Sequence, residues 1–175
     1  MLILAVGANQ IIPPIPGIDR PNVKTLEALH RKEPDLGDSV VIIGGGLVGS
    51  ETAIYLDGLG KKVTVVEMKD DYAPDANEMH KIGLEHEFAK NNVKFHLNTS
   101  AKAVTDDGLI CTGKDGSEFT VKADTVLIAA GMRADWDTVE ALKYSAPWCI
   151  TVGDCIKAGK VADATQQGYY AALDI

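Results

Sequence analysis

Cysteine is scarce in this chain and wrongly spaced for redox or structural use. Cys111, Cys149 and Cys155 are odd in number and form no Cys-x-x-Cys. A structural disulfide framework is not expected, so a reducing, cytoplasmic setting is the default. Positive charge is also in deficit. The formal net charge is −8 and no basic stripe with interleaved aromatics occurs, which argues against nucleic acid as a partner, because phosphate backbones recruit clustered Lys and Arg. Long hydrophobic runs are missing: Val40-Val41-Ile42-Ile43 is strand-sized, far short of the roughly 20 residues of a membrane span. The apolar opening, Met1 to Ala8, has no basic n-region and soon meets Pro13, Pro14 and Pro16, so it does not read as a signal peptide. His30, His80, His86 and His96 stand at no metal-ligand spacing, and no metal is expected.

What is present is enough chain, 175 residues at a mean hydropathy of zero, for one globular domain with a substantial core. Glycines cluster around residues 44–60 and 108–116. Residues 2–6 read as a fully buried strand, 11–17 as a proline-rich connector and about 24–32 as a short helix. A buried strand at 39–43 leads into a helix over 47–59 with Val48, Thr52, Tyr55, Leu56 and Leu59 near one face. A strand follows at 62–67, then a helix at about 77–90 opened by Pro74 and Asp75. Short strands are predicted at 93–97, 101–105, 108–113 and 117–121, the last two as a hairpin. A buried strand at 124–129, a strand at about 148–152 and a helix from about 161 to the end complete the pattern.

The chemistry lies in Gly44-Gly45-Gly46-Leu47-Val48-Gly49, a Gly-x-Gly-x-x-Gly that directly follows a buried strand and opens a helix. The first glycine permits a tight turn, the second lets backbone approach a pyrophosphate, and the third lets helix and strand pack closely. Unpaired N–H groups at the helix start then face the phosphates. The next strand ends in Glu67, 18 residues after Gly49, where a carboxylate can accept hydrogen bonds from ribose hydroxyls. A P-loop is excluded because Ser50 stands where its lysine belongs. A methyltransferase-like Rossmann domain and a glycine turn that binds nothing remain the alternatives. Glu51 in the first helical turn is either a dipole-compatible carboxylate or a cofactor contact. Gly131 either ends a strand or lets the chain pass close to the cofactor. Cys155 reads as buried and inert.

With these residues in place, almost the whole chain resembles the pyridine-nucleotide-dependent flavoprotein reductases of the glutathione-reductase type. Leu2 to Ala8 with Pro14-Ile15-Pro16-Gly17 looks like the crossover leaving the family's FAD domain. Gly44 to Glu51 looks like its NAD(P)-binding motif, and Val126 to Gly131 like the second crossover. Thr151-Val152-Gly153-Asp154 looks like the C-terminal FAD motif, whose Asp binds the ribityl chain. Gly153-Asp154-Cys155 followed by Ala158-Gly159-Lys160 and Asp163-Ala164 is similar to the 2-enoate and 2,4-dienoyl-CoA reductase branch of the old yellow enzyme superfamily. That resemblance implies hydride transfer from NAD(P)H to FAD, then electron flow through an iron–sulfur cluster to FMN in a barrel domain, where an activated C=C bond is reduced. The upstream FAD-binding glycine motif, the barrel and the cluster cysteines do not occur in these residues.

The expected architecture is therefore α/β: a Rossmann-type three-layer β/β/α NAD(P)-binding domain with an antiparallel ribbon, plus stubs of an FAD-binding domain. The boundaries fall at 1–38 for the FAD-domain crossover and connector, 39–131 for the NAD(P)-binding domain and 132–175 for a C-terminal FAD-domain segment. Expected cofactor-binding residues are Gly44, Gly45, Gly46, Leu47, Val48, Gly49, Glu51, Glu67, Met68, Lys69, Gly131, Gly153 and Asp154, with no catalytic side chain. Glu67 favours NADH over NADPH, although Lys69 could swing toward a 2′-phosphate. FAD belongs to the full-length protein. The other function classes are a stand-alone nucleotide-binding or sensor module, and a small subunit working with a separate FAD-bearing partner. Unsheltered stub strands would also favour pairing into a homo-oligomer.

Overall fold

The computed structural model describes residues 1–31 and 35–173. They belong to two compact units, one of Ile12–Ala130 and one of Met1–Ile11 with Gly131–Ile175. In chain order the elements begin with β1 (Leu2–Leu4), β2 (Ala8–Gln10), β3 (Val23–Thr25) and α1 (Leu26–Arg31). Next come β4 (Ser39–Ile43), α2 (Leu47–Gly58), β5 (Lys62–Val66), α3 (Glu78–Phe88) and β6 (Lys94–His96). Three strands follow, β7 (Ser100–Thr105), β8 (Gly108–Thr112) and β9 (Glu118–Lys122), then β10 (Thr125–Ile128). The last elements are β11 (Met132–Ala134), α4 (Trp136–Leu142), β12 (Cys149–Thr151), a 3₁₀ turn (Gly153–Cys155) and α5 (Val161–Leu173).

The Ile12–Ala130 unit is built on a five-stranded sheet in the order β3-β10-β4-β5-β6, every pairing parallel. Parallel neighbours need long crossovers, which α2 and α3 supply. Both faces of such a sheet are covered, so its strands are apolar throughout and the two-residue period divides one run between two cores. Val40 and Ile42 pack on the helical side with Ala53, Leu56, Val63, Val65 and Leu127. Val41 and Ile43 pack on the other side with Val66, Val126, Leu109, Cys111 and Val121. Full burial of each such side chain contributes about 1.5–3 kcal/mol. The second core is roofed by the antiparallel β7-β8-β9 ribbon, so the unit has the three-layer β/β/α arrangement expected.

Several details differ from the sequence expectation. The apolar residues Val48, Tyr55 and Leu59 of the α2 region are exposed, and the buried face is Gly49, Ser50, Thr52, Ala53 and Leu56. Small residues line it because the helix lies close to the sheet. The cap of α3 is Asn77, whose side chain accepts the His80 N–H at 2.9 Å, rather than Pro74 or Asp75. A third difference is β3, which joins the main sheet beside β10, so residues 12–31 and 35–38 lie in the unit that the sequence begins at 39. Residue 32, the predicted end of the first helix, lies outside the described residues. The fourth is β1, which is three residues long and only partly buried, with Ile3 41% exposed.

In the other unit β1 pairs parallel with β12 and β2 pairs antiparallel with β11. A small core gathers Leu4, Val139 and Cys155 with Leu2, Val6 and Cys149. β2, β11 and α4 were not expected: two are three-residue strands, too short for a period to register. The helix α4 starts at Asp135, which accepts the Thr138 N–H at 3.2 Å. The predicted last helix is present as α5, and residues 174–175 lie outside the described range. No helix among the described residues is long and apolar enough to cross a membrane.

Candidate functional site: the glycine loop between β4 and α2

The loop leaving β4 turns under the start of α2 at the carboxyl end of the parallel sheet, where open α/β sheets bind their ligands. Gly44 has φ +106°, and a Cβ there would lie 2.3 Å from the carbonyl oxygen of Ala129. At Gly49 a Cβ would lie 2.1 Å from the carbonyl oxygen of Gly44 and 3.3 Å from the Ala129 methyl, so helix, loop and β10 meet without room for a side chain. Gly46 is the opposite case: nothing stands within 4 Å of where its Cβ would be. It is the N-cap of α2, at φ −63° and ψ −175°, and no side chain caps the helix. The first helical amides therefore have no intrahelical acceptor, and the positive end of the helix dipole is open to an anion. Leu47 is half-buried and Val48 is exposed, on the first turn of α2.

Glu67 follows β5 directly and is 8% exposed. Its carboxylate accepts the Gly45 N–H at 2.6 Å through Oε2 and the Lys69 N–H at 2.8 Å through Oε1. A carboxylate accepts about four hydrogen bonds, so acceptor capacity remains for a ribose. Glu67 thus also straps the glycine loop to the end of β5, a role that spacing alone does not disclose. Met68 is 71% exposed and Lys69 is exposed beside it. Glu51 lies on the outer face of α2, where its Oε1 is 3.1 Å from His80 Nε2 on α3.

Two further residues support the loop and were not singled out from sequence. Ala73 is fully buried with φ +43°, and its N–H donates to the Gly45 carbonyl at 2.7 Å. Lys81 holds the segment before it through Asp71 Oδ1 at 2.6 Å and the Tyr72 carbonyl. Neither an alanine in left-handed backbone nor a helical lysine carries a sequence signal of its role.

The remaining expected residues lie in the other unit. Gly131 has φ +100°, and its carbonyl accepts the Ile11 N–H at 2.9 Å. Gly153, at φ +75°, donates its N–H to Gln167 Oε1 at 2.6 Å, and Asp154 Oδ1 accepts the Gly159 N–H at 3.1 Å. Gly153 and Asp154 line a groove of about 380 Å³ together with Ala5, Gly7 and Lys160. Cys155 is buried in the same unit, its thiol within hydrogen-bond reach of the carbonyls of Val152 at 3.0 Å and Leu4 at 3.3 Å. In the Ile12–Ala130 unit, burial pushes the Cys111 thiol up to about 11, so it stays protonated. Among the described residues no cluster of three or more His, Cys, Asp or Glu could hold a metal.

Comparison with known proteins matches this geometry to a family. Bilirubin reductase of Mediterraneibacter gnavus (strain CC55_001C) is 35% identical over 173 residues, which cover 98% of this chain and 27% of that protein. NADH oxidase of Thermoanaerobacter brockii is 30% identical over 179 residues, covering 99% of this chain and 28% of the oxidase. A solved complex of 2-naphthoyl-CoA reductase with 2-naphthoyl-CoA is 32% identical and superposes with a TM-score of 0.93, covering 99% of this chain and 26% of that one. The chain thus spans little more than a quarter of the length of each. Residues 1–149 match the pyridine nucleotide-disulphide oxidoreductase family, whose members are flavoproteins that bind FAD and NAD(P)H, and the chain belongs to that family.

Proposed function

We propose that this chain binds NADH and passes its hydride to FAD, as part of an oxidoreductase in which an FMN/iron–sulfur domain then reduces an activated C=C bond. The observation that carries the reading is the open space at Gly46, at an uncapped helix start and flanked by the buried carboxylate of Glu67. Amides of Gly46, Leu47 and Val48 would hold the pyrophosphate, since N–H donors at a helix start favour anions. Glu67 would accept from the adenosine ribose while its bonds to Gly45 and Lys69 keep it from swinging away. On the flavin side, Asp154 would accept from a polyol hydroxyl, one of its oxygens already being oriented by Gly159. Bound FAD would supply a two-electron acceptor for the hydride. The likeness to a 2-naphthoyl-CoA reductase supports the C=C branch, and the likeness to an NADH oxidase supports the choice of nucleotide.

A 2′-phosphate about 4 Å from the Glu67 carboxylate would be repelled by up to about 4 kcal/mol near a protein surface. After screening by salt, about 2 kcal/mol survives, on the order of a thirtyfold preference for NADH. Titration of both reduced nucleotides, followed by fluorescence, measures this ratio. Glu67→Gln should bring it to within about threefold, because the repelling charge is gone. Tighter binding of NADPH by the unsubstituted protein would overturn the assignment.

A further inference from the structure

The Gly45–Gly46 peptide of the glycine loop is linked by hydrogen bonds to a charge on α3. Lys81 donates to Asp71 Oδ1 at 2.6 Å and to the carbonyl of Tyr72, and its ammonium sits 3.8 Å over the Tyr72 ring. The Tyr72 carbonyl belongs to the same peptide as the Ala73 N–H. That N–H donates to the Gly45 carbonyl at 2.7 Å, which belongs to the same peptide as the Gly46 N–H. Peptides are planar and trans, so carbonyl and N–H point in opposite directions across each unit. Two peptides in series thus run from the Lys81 ammonium to the Gly46 amide. The Ser50 hydroxyl, 3.2 Å from the Gly45 oxygen, steadies the second one.

We propose that Lys81 is a positioning residue for dinucleotide binding: through the peptides Tyr72–Ala73 and Gly45–Gly46 it aims the Gly46 N–H and strengthens it as a donor to the pyrophosphate. The inference rests on the dinucleotide reading above. Hydrogen bonds in series polarise one another, the more so in a low-dielectric surrounding. Ala73 is 1% exposed and Gly45 is buried, so the middle of the relay runs through such a surrounding. A cation at its head pulls electron density along the chain and leaves the terminal N–H more positive. The relay also accounts for Ala73, whose left-handed backbone a Cβ disfavours. That conformation turns its N–H toward Gly45 while the Tyr72 carbonyl meets Lys81. The Tyr72 ring is held in turn against Phe88 and Phe95, with centroids 5.1 and 4.9 Å away.

The test compares Lys81→Met, Lys81→Gln and Lys81→Arg with the unsubstituted chain. The readouts are NADH affinity by fluorescence, thermal unfolding, and the amide resonance of Gly46 in the nucleotide-free protein. Lys81→Met should weaken NADH about tenfold and shift the Gly46 amide, while Lys81→Arg keeps both near the original values. Lost affinity with an unmoved Gly46 resonance would show that Lys81 does not act through this peptide and would overturn the proposal. So would NADH affinity within twofold of the original in Lys81→Met. If Lys81→Met does not fold, Lys81→Gln, which keeps a donor and loses the charge, decides on the same two readouts. Failure of the unsubstituted chain to bind NADH would sink the dinucleotide reading, whereas the Gly46 shift would still report on the relay.

Discussion

At the N-terminal ends of β4 and β10, Asp124 Oδ2 accepts the Asp38 and Ser39 N–H groups at 2.9 and 2.8 Å and the Ser39 hydroxyl at 2.7 Å. The Lys61 ammonium closes the same end through the Gly37 carbonyl at 2.6 Å. At the C-terminal end another carboxylate, Glu67, likewise accepts two backbone amides, yet the amides at the start of α2 receive no side-chain cap. One end is closed and the other is held half-open by the same kind of bond. A hollow of about 460 Å³ lies beside the closed end, against Lys61, Lys62, Thr64 and Lys94. The open end is marked instead by donors without acceptors, which is what an anionic ligand needs.

The contrast breaks most readily at Gly49. A side chain there collides with the Gly44 carbonyl, and overpacking against backbone costs about 3 kcal/mol or more. Gly49→Val should therefore lower the melting temperature by about 6–12 °C, and a melt unchanged within error would refute the close packing. Gly46→Ala should act on the ligand alone. Its φ of −63° suits alanine and its Cβ meets no protein atom, so stability should hold while NADH binds about tenfold or more weakly. Undiminished affinity would show that the pyrophosphate does not approach Gly46.

The smallest effect is expected at the closed end. Hydrogen bonds from the Ser39 hydroxyl and from the Ser39 and Asp38 amides, with Lys61 nearby, hold the Asp124 carboxyl below the usual carboxylate range. A lowered folded value means stability that is present above the unfolded pKa of 3.8 and is lost as pH falls through the folded value. Asp124→Asn should thus lower the melting temperature slightly at neutral pH, with the deficit vanishing in strong acid. NADH affinity should not change. A deficit that grew on acidification would reverse the sign and discard this account of the closed end.

Much of the Ile12–Ala130 unit was legible because its signals are local and redundant. Val40 to Ile43 is apolar throughout because both faces of a parallel strand are covered. The glycines at 44 and 49 are legible because neither position leaves room for a Cβ beside the backbone it packs on. Hydrophobicity is a poor guide to the buried face of α2, because close approach to the sheet selects Gly49, Ser50 and Ala53 and leaves Tyr55 outside.

By itself, then, the sequence determined the alternation of strands and helices, the three layers and the position of the glycine loop, since each follows from period, turn chemistry or close approach within a few residues. Tertiary structure alone decided how that loop is held. Glu67 reaches back 22 residues to Gly45, Ala73 turns left-handed to meet the same residue, and Lys81 grips the peptide in front of it. Asp124 reaches across 86 residues to close the opposite end. Such bonds join side chains to backbone amides, which every residue carries, so no pattern of residue types announces them until the chain has folded.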